Sequence, residues 1–163
     1  MIVIANSTPL IYCATLSDLL LLRQLFGTNT IPQEVYREVV VEGKGQSGER
    51  EIRNATWIQV KQVKNQKAVE RFIVSHRLHK GESETMVLYQ QLNAHLTLLD
   101  EERAVAYARR LGMNVLRTAG VYMEAKRLGL IPWVREKLDR LRQEGFWLKD
   151  EDYEAIIRQA GEE

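Results

Sequence analysis

Residues 95–100 read His-Leu-Thr-Leu-Leu-Asp, and they are the most informative stretch of the chain. Its first five residues are apolar enough for a buried strand, which ends on the carboxylate of Asp100. A carboxylate at the carboxyl end of a parallel strand faces the crevice where open α/β sheets bind their ligands. The chain begins in the same way, because the apolar run 2–5 is followed by Asn6-Ser7-Thr8-Pro9. Two strands that bring oxygen ligands to one edge outline a metal site, although one of these strands ends on an amide.

Apolar runs alternate with helical patterns along the whole chain. Strands are predicted at 2–5, 28–31, 57–60, 95–99 and 114–117. Residues 6–9 are interpreted as a turn, and the first helix is capped by Ser17-Asp18 and continues to Leu25. Further helices are predicted from Pro32 onward and at 50–55, 66–76, 80–92, 101–111, 119–128, 133–144 and 150–159. The alternation predicts a parallel sheet with right-handed crossovers, in a single α/β domain over 1–163 whose segment 131–163 is a helical extension packed on the core.

Composition narrows the class of protein. The 163 residues are enough for one domain with its own core. A net charge of +1 gives no overall signature of nucleic-acid binding, but it leaves room for a local basic patch opposite an acidic pocket. The single cysteine, Cys13, excludes a disulfide within the chain. No apolar stretch approaches the roughly 20 residues of a membrane helix, so we expect a cytoplasmic protein without a membrane partner.

Several acidic and polar side chains are predicted to meet at the carboxyl edge of the sheet. Carboxylates hold Mg²⁺ or Mn²⁺ together with water and substrate phosphates, and the metal can then assist attack on a phosphoryl group. We expect Asp100 to bind the metal, because solubility does not explain an acid directly after a buried strand. Spacing alone leaves Glu38 and Glu82 balanced between a site role and ordinary solvated acids. The candidates are Asn6, Glu38, Glu82 and Asp100, with Glu84 and Glu101 as secondary ones.

Other acids and hydroxyls near this edge have two interpretations. Glu34, Glu42 and Glu102 are expected to be solvated surface groups, and for Glu101 this is the favoured interpretation. The hydroxyls of Ser7, Thr8 and Thr118 could contact a metal-bound water or phosphate. They could also shape the turn before Pro9 and cap the helix after residue 118, and the two roles can coexist.

Basic residues near the edge also have two interpretations. Most lie on polar helix faces, so a solvated face is the default. The alternative is a phosphate-contacting surface, for which the nearest candidates are Arg103, Arg109 and Arg117.

With these residues in place, the chain resembles the PIN-domain family over nearly its whole length. The matching pieces are IANSTPLI at 4–11, IPQEVY at 31–36, GESE at 81–84, LLD at 98–100, TAGV at 118–121, EAK at 124–126 and GLIP at 129–132. The resemblance implies a three-layer α/β/α fold, with four or five parallel strands in the order 3-2-1-4-5. It also implies that Asn6 and Asp100 are neighbours.

The resemblance further implies a function and a set of site residues. PIN nucleases cut single-stranded or structured RNA with Mg²⁺ or Mn²⁺, and many are dimeric toxins paired with a small antitoxin. Asn6, Glu38, Glu82 and Asp100 match the four acids in order, with the family's usual interval of 100 − 82 = 18 between the last two. Glu84 is an alternative for the third. Asn6 replaces an aspartate, and Glu82 stands where aspartate is usual.

The leading hypothesis is therefore a metal-dependent ribonuclease, with a toxin role as one option, in which Asp100, Glu82 and Asn6 hold the metal and Glu38 orients water. The alternative is a non-catalytic module that binds nucleic acid or protein and keeps a degenerate metal site. A phosphate-handling regulator of another doubly wound fold is a third option. The aromatic residues of the last thirty positions, among them Trp133 and Trp147, are interpreted as packing residues or as part of a partner surface.

Overall fold

Five short strands form a parallel sheet at the centre of the computed structural model, which describes residues 1–163. They are β1 (Val3–Ala5), β2 (Asn29–Pro32), β3 (Ile58–Lys61), β4 (Leu96–Leu98) and β5 (Val115–Leu116). The strands lie in the order β3-β2-β1-β4-β5, and every pairing is parallel. The strand order implied by the family resemblance is therefore confirmed.

Ten α-helices surround the sheet. They are α1 (Ser7–Thr15), α2 (Leu19–Phe26), α3 (Gln33–Tyr36), α4 (Glu49–Asn54), α5 (Gln66–His76), α6 (Lys80–Gln91), α7 (Glu102–Arg110), α8 (Thr118–Arg127), α9 (Val134–Gln143) and α10 (Asp150–Gln159). Helix α3 continues directly into a π-helical segment, Arg37–Val41. No single helix is long and apolar enough to cross a membrane; α1 and α2 together reach that length and composition, but they are bent by 119° at their junction.

Helix α1 is the main difference from the sequence prediction, which interpreted residues 6–9 as a turn. The prediction of a turn is wrong, because Asn6 is the N-cap of α1 and the helix begins at Ser7. Pro9 lies in the first turn of this helix, where a backbone N–H has no intrahelical acceptor and its loss does no harm. The proline that suggested a turn is thus compatible with a helix start.

Alternating side chains of β1 divide the core into two layers. Val3 and Ala5 pack with α1, α2 and α4 on one face of the sheet, whereas Ile4 packs with α5, α6 and α7 on the other. Successive residues of a strand point to opposite faces, so three consecutive apolar residues are expected in a strand that is covered on both sides. This arrangement is the predicted three-layer α/β/α sandwich.

The two C-terminal helices pack against α8 and the junction of α1 with α2. Their contacts form a third cluster of buried residues, which includes Leu138, Leu141 and Ile157. A polar contact lies beside this cluster, because the Asp18 carboxylate accepts a hydrogen bond from Tyr122 Oη at 3.0 Å and pairs with Lys137 Nζ at 2.9 Å. The C-terminal segment thus shares both apolar and polar contacts with the sheet domain.

We predict that Leu138→Ala lowers the free energy of unfolding of the whole chain by about 2–5 kcal/mol. Leu138 has no exposed surface, so its truncation leaves a cavity between the C-terminal helices and α8. Urea unfolding followed by circular dichroism measures the change, and we expect one cooperative transition.

The matched control is Leu128→Ala. Leu128 is 49% exposed at the end of α8, so its truncation should change the unfolding free energy by no more than about 0.5 kcal/mol. A separate early transition in Leu138→Ala, with the main midpoint unchanged, would contradict the expectation that the chain unfolds as one domain.

Candidate functional site

A polar cleft of about 470 Å³ lies beyond the carboxyl ends of β1 and β4. None of its lining residues is apolar, and they include six carboxylates but only two permanent cations. The lining consists of Asn6, Ser7, Thr8, Glu34, Arg37, Glu38, Glu42, His79, Lys80, Glu82, Asp100 and Glu101. The structure therefore brings together the four residues matched to the family's acids, in the crevice where open α/β sheets bind ligands.

Asn6 has a structural task at the start of α1. Its Oδ1 accepts a hydrogen bond from the backbone N–H of Ser7 at 2.6 Å, and its side chain is only 7% exposed. No hydrogen bond within the chain uses its Nδ2 amide. Because the oxygen faces the helix start, the group left for a ligand in the cleft is mainly an N–H donor. Asn and Asp are equally good N-cap residues, so the cap alone does not dictate the amide.

Asp100 connects the end of β4 to the start of α8 through hydrogen bonds. Its Oδ1 accepts the backbone N–H of Thr118 at 2.8 Å, and its Oδ2 accepts the Thr118 hydroxyl. Arg117 Nη2 donates to the Asp100 carbonyl oxygen at 2.7 Å. The prediction that Thr118 itself caps this helix is wrong. Thr118 is the first helical residue, and its backbone N–H and its hydroxyl each donate a hydrogen bond to the Asp100 carboxylate. Burial raises the pKa of the Asp100 carboxyl, and the hydrogen bonds from Thr118 oppose this rise only in part.

Two further carboxylates lie at the first turn of α6. Glu82 Oε2 accepts the backbone N–H of His79 at 3.0 Å, and Glu38 Oε2 accepts the Ser7 hydroxyl at 2.8 Å. Glu38 approaches so closely that a Cβ atom at Gly81 would overlap its Oε1. Because residue 81 is a glycine, the Glu38 carboxylate can lie at the N-terminal end of α6, which is the positive end of the helix dipole. Burial is the main cause that raises the pKa of both carboxyls.

Glu34 was expected to be solvated, but this prediction is wrong. It is only 6% exposed, and its carboxylate accepts two hydrogen bonds from Arg37, one of them from Nε at 2.9 Å. Lys80 Nζ lies 3.8 Å from Glu34 Oε2. The hydrogen bonds from Arg37 lower the pKa of the Glu34 carboxyl. The only sequence signal for this cluster is the i, i+3 spacing of Glu34 and Arg37, which occurs on many solvated helices.

The secondary candidates divide between the cleft and its surroundings. Glu101 lines the cleft, is exposed, and accepts the backbone N–H of Ala104 at 2.8 Å. Glu84 lies outside the cleft and accepts the backbone N–H of Glu34 at 3.3 Å, which supports the start of α3. Thr8 lines the cleft without a side-chain hydrogen bond. Glu101, Thr8 and Ser7 are therefore the supporting candidates that line the cleft.

The three candidate arginines do not line the cleft. Arg117 is the nearest of them, because it contacts the Asp100 carbonyl oxygen. Arg103 is exposed in the first turn of α7, and Arg109 lies in the last turn, about 9 Å further along the helix axis. The cations that do line the cleft are Arg37 and Lys80, and nothing in the sequence pattern singles them out.

The electrostatics of the cleft are uneven. Glu34 has its own cations, but Glu38, Glu82 and Asp100 make no ion pair. Isolated buried carboxylates are costly, so this arrangement favours a cation from solution. No group of three or more His, Cys, Asp and Glu side chains converges closely enough to hold a metal ion by itself. Mg²⁺ keeps several waters and often needs only one or two protein carboxylates, and the donor set is compatible with that mode of binding.

The comparison with known protein families agrees with the fold. A family model described as a PIN domain matches residues 2–162, which is almost the whole chain. A comparison with curated proteins finds no match.

We predict that Glu82→Gln raises the melting temperature of the metal-free protein at pH 7 by a few degrees, since about 1 kcal/mol shifts the midpoint of a chain of this size by about 2–4 °C. Glutamine still accepts the N–H of His79, so the cap survives while the buried charge is lost. The folded-state pKa of Glu82 is raised, so its ionised form destabilises the folded protein above that pKa. The gain should therefore shrink as the pH falls through the raised pKa of Glu82.

Glu101→Gln is the matched control for this experiment. Glu101 also lines the cleft and also accepts a helix-start N–H, but it is exposed. Its neutralisation should leave the melting temperature within about 1 °C of the parent protein. Thermal unfolding in EDTA measures both variants, and equal shifts would show that burial of Glu82 is not the cause.

Proposed function

The chain belongs to the PIN-domain family, and on that premise we propose that it is a Mg²⁺- or Mn²⁺-dependent ribonuclease that cuts single-stranded or structured RNA. The observation that carries the proposal is a set of three carboxylates, the buried Glu82 and Asp100 and the half-buried Glu38, which line one cleft without an ion pair. A protein gains no stability from such an arrangement, because each desolvated charge opposes folding. Groups whose pKa values are perturbed by burial in a cleft are candidates for function.

In this proposal the residues of the cleft have two roles, which are to hold the cation and to orient the attacking water. Asp100 and Glu82 hold the divalent cation, with Asn6 and the hydroxyl of Ser7 or Thr8 at the edge of its hydration shell. When bound, the cation stabilises charge on the phosphoryl oxygens and makes water more acidic. Glu38 orients the attacking water, and the raised pKa of its carboxyl brings it closer to the range of a useful general base.

Arg37 and Lys80 are proposed to contact RNA phosphates at the entrance of the cleft. Their side chains are 47% and 55% exposed, although both contact the buried Glu34. A buried carboxylate of the cleft that holds two exposed cations provides a prearranged phosphate contact. These cations would offset the repulsion between the acidic cleft and the RNA backbone.

The alternative function is a binding module without catalysis, and Asn6 is the observation that favours it. The side-chain oxygen of Asn6 is already used by the helix cap, and the amide adds no negative charge for a cation. A toxin role, a small antitoxin partner and a homodimer stay predictions from the family resemblance.

We predict that Mn²⁺ or Mg²⁺ supports cleavage of a fluorescent single-stranded RNA, and that excess EDTA abolishes it. Asp100→Asn and Glu82→Gln should each lower the rate by at least about 100-fold, which corresponds to about 2.7 kcal/mol of transition-state stabilisation. Gel analysis of the products measures the rate.

Glu101→Gln should retain most of the activity, because Glu101 is exposed and already caps α7. Circular dichroism confirms that each variant is folded. Undiminished cleavage in EDTA, or by a folded Asp100→Asn variant, would refute the proposed mechanism.

Asn6→Asp distinguishes an undercharged nuclease from a binding module. Aspartate keeps the cap with one oxygen and offers the other to the cleft, so we expect Mn²⁺ affinity to rise by about tenfold and cleavage to rise with it. Isothermal titration measures the affinity. Asn6→Ser is the control, since serine caps equally well and adds no charge. A folded Asn6→Asp protein with unchanged affinity and no cleavage would favour the binding module.

A further inference from the structure

A second cavity, of about 250 Å³, lies beside the acidic cleft, and we call it the Trp147 pocket. It is enclosed by the start of α7, the residues around Arg117, and the C-terminal segment that carries Phe146, Trp147 and Ile156. Arg117 connects the two sites, because it lines the pocket and donates a hydrogen bond to the carbonyl oxygen of Asp100 at 2.7 Å. A polymer bound in the acidic cleft would therefore pass the mouth of this pocket.

Trp147 gives the pocket an open aromatic wall. It is 69% exposed, so folding leaves most of the surface of this large apolar residue accessible to solvent. Lys149 Nζ lies 5.7 Å from the centre of its ring. An exposed tryptophan next to cations is the kind of surface on which the bases of single-stranded nucleic acids stack.

The charges of the pocket indicate which part of a nucleotide it fits. Two cations, Arg117 and Lys149, are balanced by two acids, Glu102 and Asp152, so the pocket has no excess charge for a phosphate. About half of its lining is apolar. The cavity is smaller than a typical drug-sized site, which favours one compact ring system. A neutral, planar base satisfies all three conditions.

We propose that the Trp147 pocket binds one nucleobase of a single-stranded RNA whose backbone lies in the acidic cleft, with the base stacked on Trp147. This inference rests on the proposed function for the identity of the polymer. The pocket would thus position the strand relative to Asp100 and give preference to unpaired RNA over duplex.

The test is RNA binding in EDTA, measured by fluorescence anisotropy with a labelled single-stranded RNA of about twelve nucleotides, in which no cleavage is required. Trp147→Ala should weaken binding by between about 5-fold and about 150-fold, the range for loss of one base–aromatic stack. Trp147→Phe keeps an aromatic ring and should stay within a few-fold of the parent protein. Duplex RNA of the same sequence should show no dependence on Trp147.

Trp133→Ala is a closely matched control. Trp133 is also exposed, at 57%, and also has a lysine near its ring, with Lys126 Nζ at 5.6 Å from the centroid. It lies at the opposite end of α9 from Trp147, roughly 15 Å away along the helix, and borders a different cavity. Its loss should leave RNA affinity unchanged.

A scan with single abasic positions separates stacking from general contact. The parent protein should lose affinity at one position of the RNA, and Trp147→Ala should show no further loss there. Equal affinities of the parent protein, Trp147→Ala and Trp133→Ala would overturn the inference. A change in oligomeric state of Trp147→Ala in sedimentation, with RNA affinity unchanged, would identify the pocket as a contact between copies of the chain and would also overturn it.

The outcomes for this pocket and for the proposed function are distinguishable. Trp147-dependent RNA binding without any metal-dependent cleavage would refute the nuclease and leave the base pocket in place. Cleavage that depends on Asp100, together with RNA affinity that is indifferent to Trp147, would refute the pocket alone. A parent protein that binds no single-stranded RNA would refute the pocket as well, and the cleavage assay would still decide the nuclease.

Discussion

The parallel pairing of β1 with β4 sets the position of both the core and the cleft. The ladder continues beyond β1, because the backbone N–H of Asn6 donates to the carbonyl oxygen of Leu98 at 3.0 Å. Thr97 adds a side-chain bond to the carbonyl oxygen of Ile4 at 3.0 Å. With this register, both strands end at one edge of the sheet, and Asn6 and Asp100 leave it side by side. A slip by one residue would turn the side chains of β1 to the wrong faces of the core.

The starts of several helices surround the cleft, and this explains how its acids can be buried together. In a parallel α/β sheet the helix that follows a strand begins at that strand's carboxyl edge. Here Asn6, Glu82 and Glu101 each accept an N–H at a helix start, and Asp100 accepts the first N–H of α8. The positive ends of the helix dipoles oppose the repulsion among the carboxylates. The cleft can thus hold several negative charges although few lysines and arginines line it.

Several side-chain oxygens of the cleft both cap a helix and face the space where a ligand would bind, and this limits what could be predicted from the sequence. The strands were evident because buried parallel strands are short apolar runs, and Asp100 was evident because it ends one of them. Pattern alone could not separate capping acids from ligand-binding acids, since residues such as Glu82 serve both purposes with one side chain. Helix α1 was missed because Pro9 suggests a turn, although a proline is harmless in a first helical turn. Glu34 was missed because its burial depends on the tertiary contact with α6, which no local spacing reveals.

Asn6 is best understood through the charge balance of the metal-free fold. Burial already raises the pKa of Glu38, Glu82 and Asp100, which means that their ionised forms oppose folding. A fourth carboxylate at position 6 would add another charge to the same cleft, whereas an amide keeps the helix cap and leaves the charge out. The fold is then more stable without a cation, but it attracts a cation less strongly. Such an exchange of site strength for stability is common where function depends on destabilising groups.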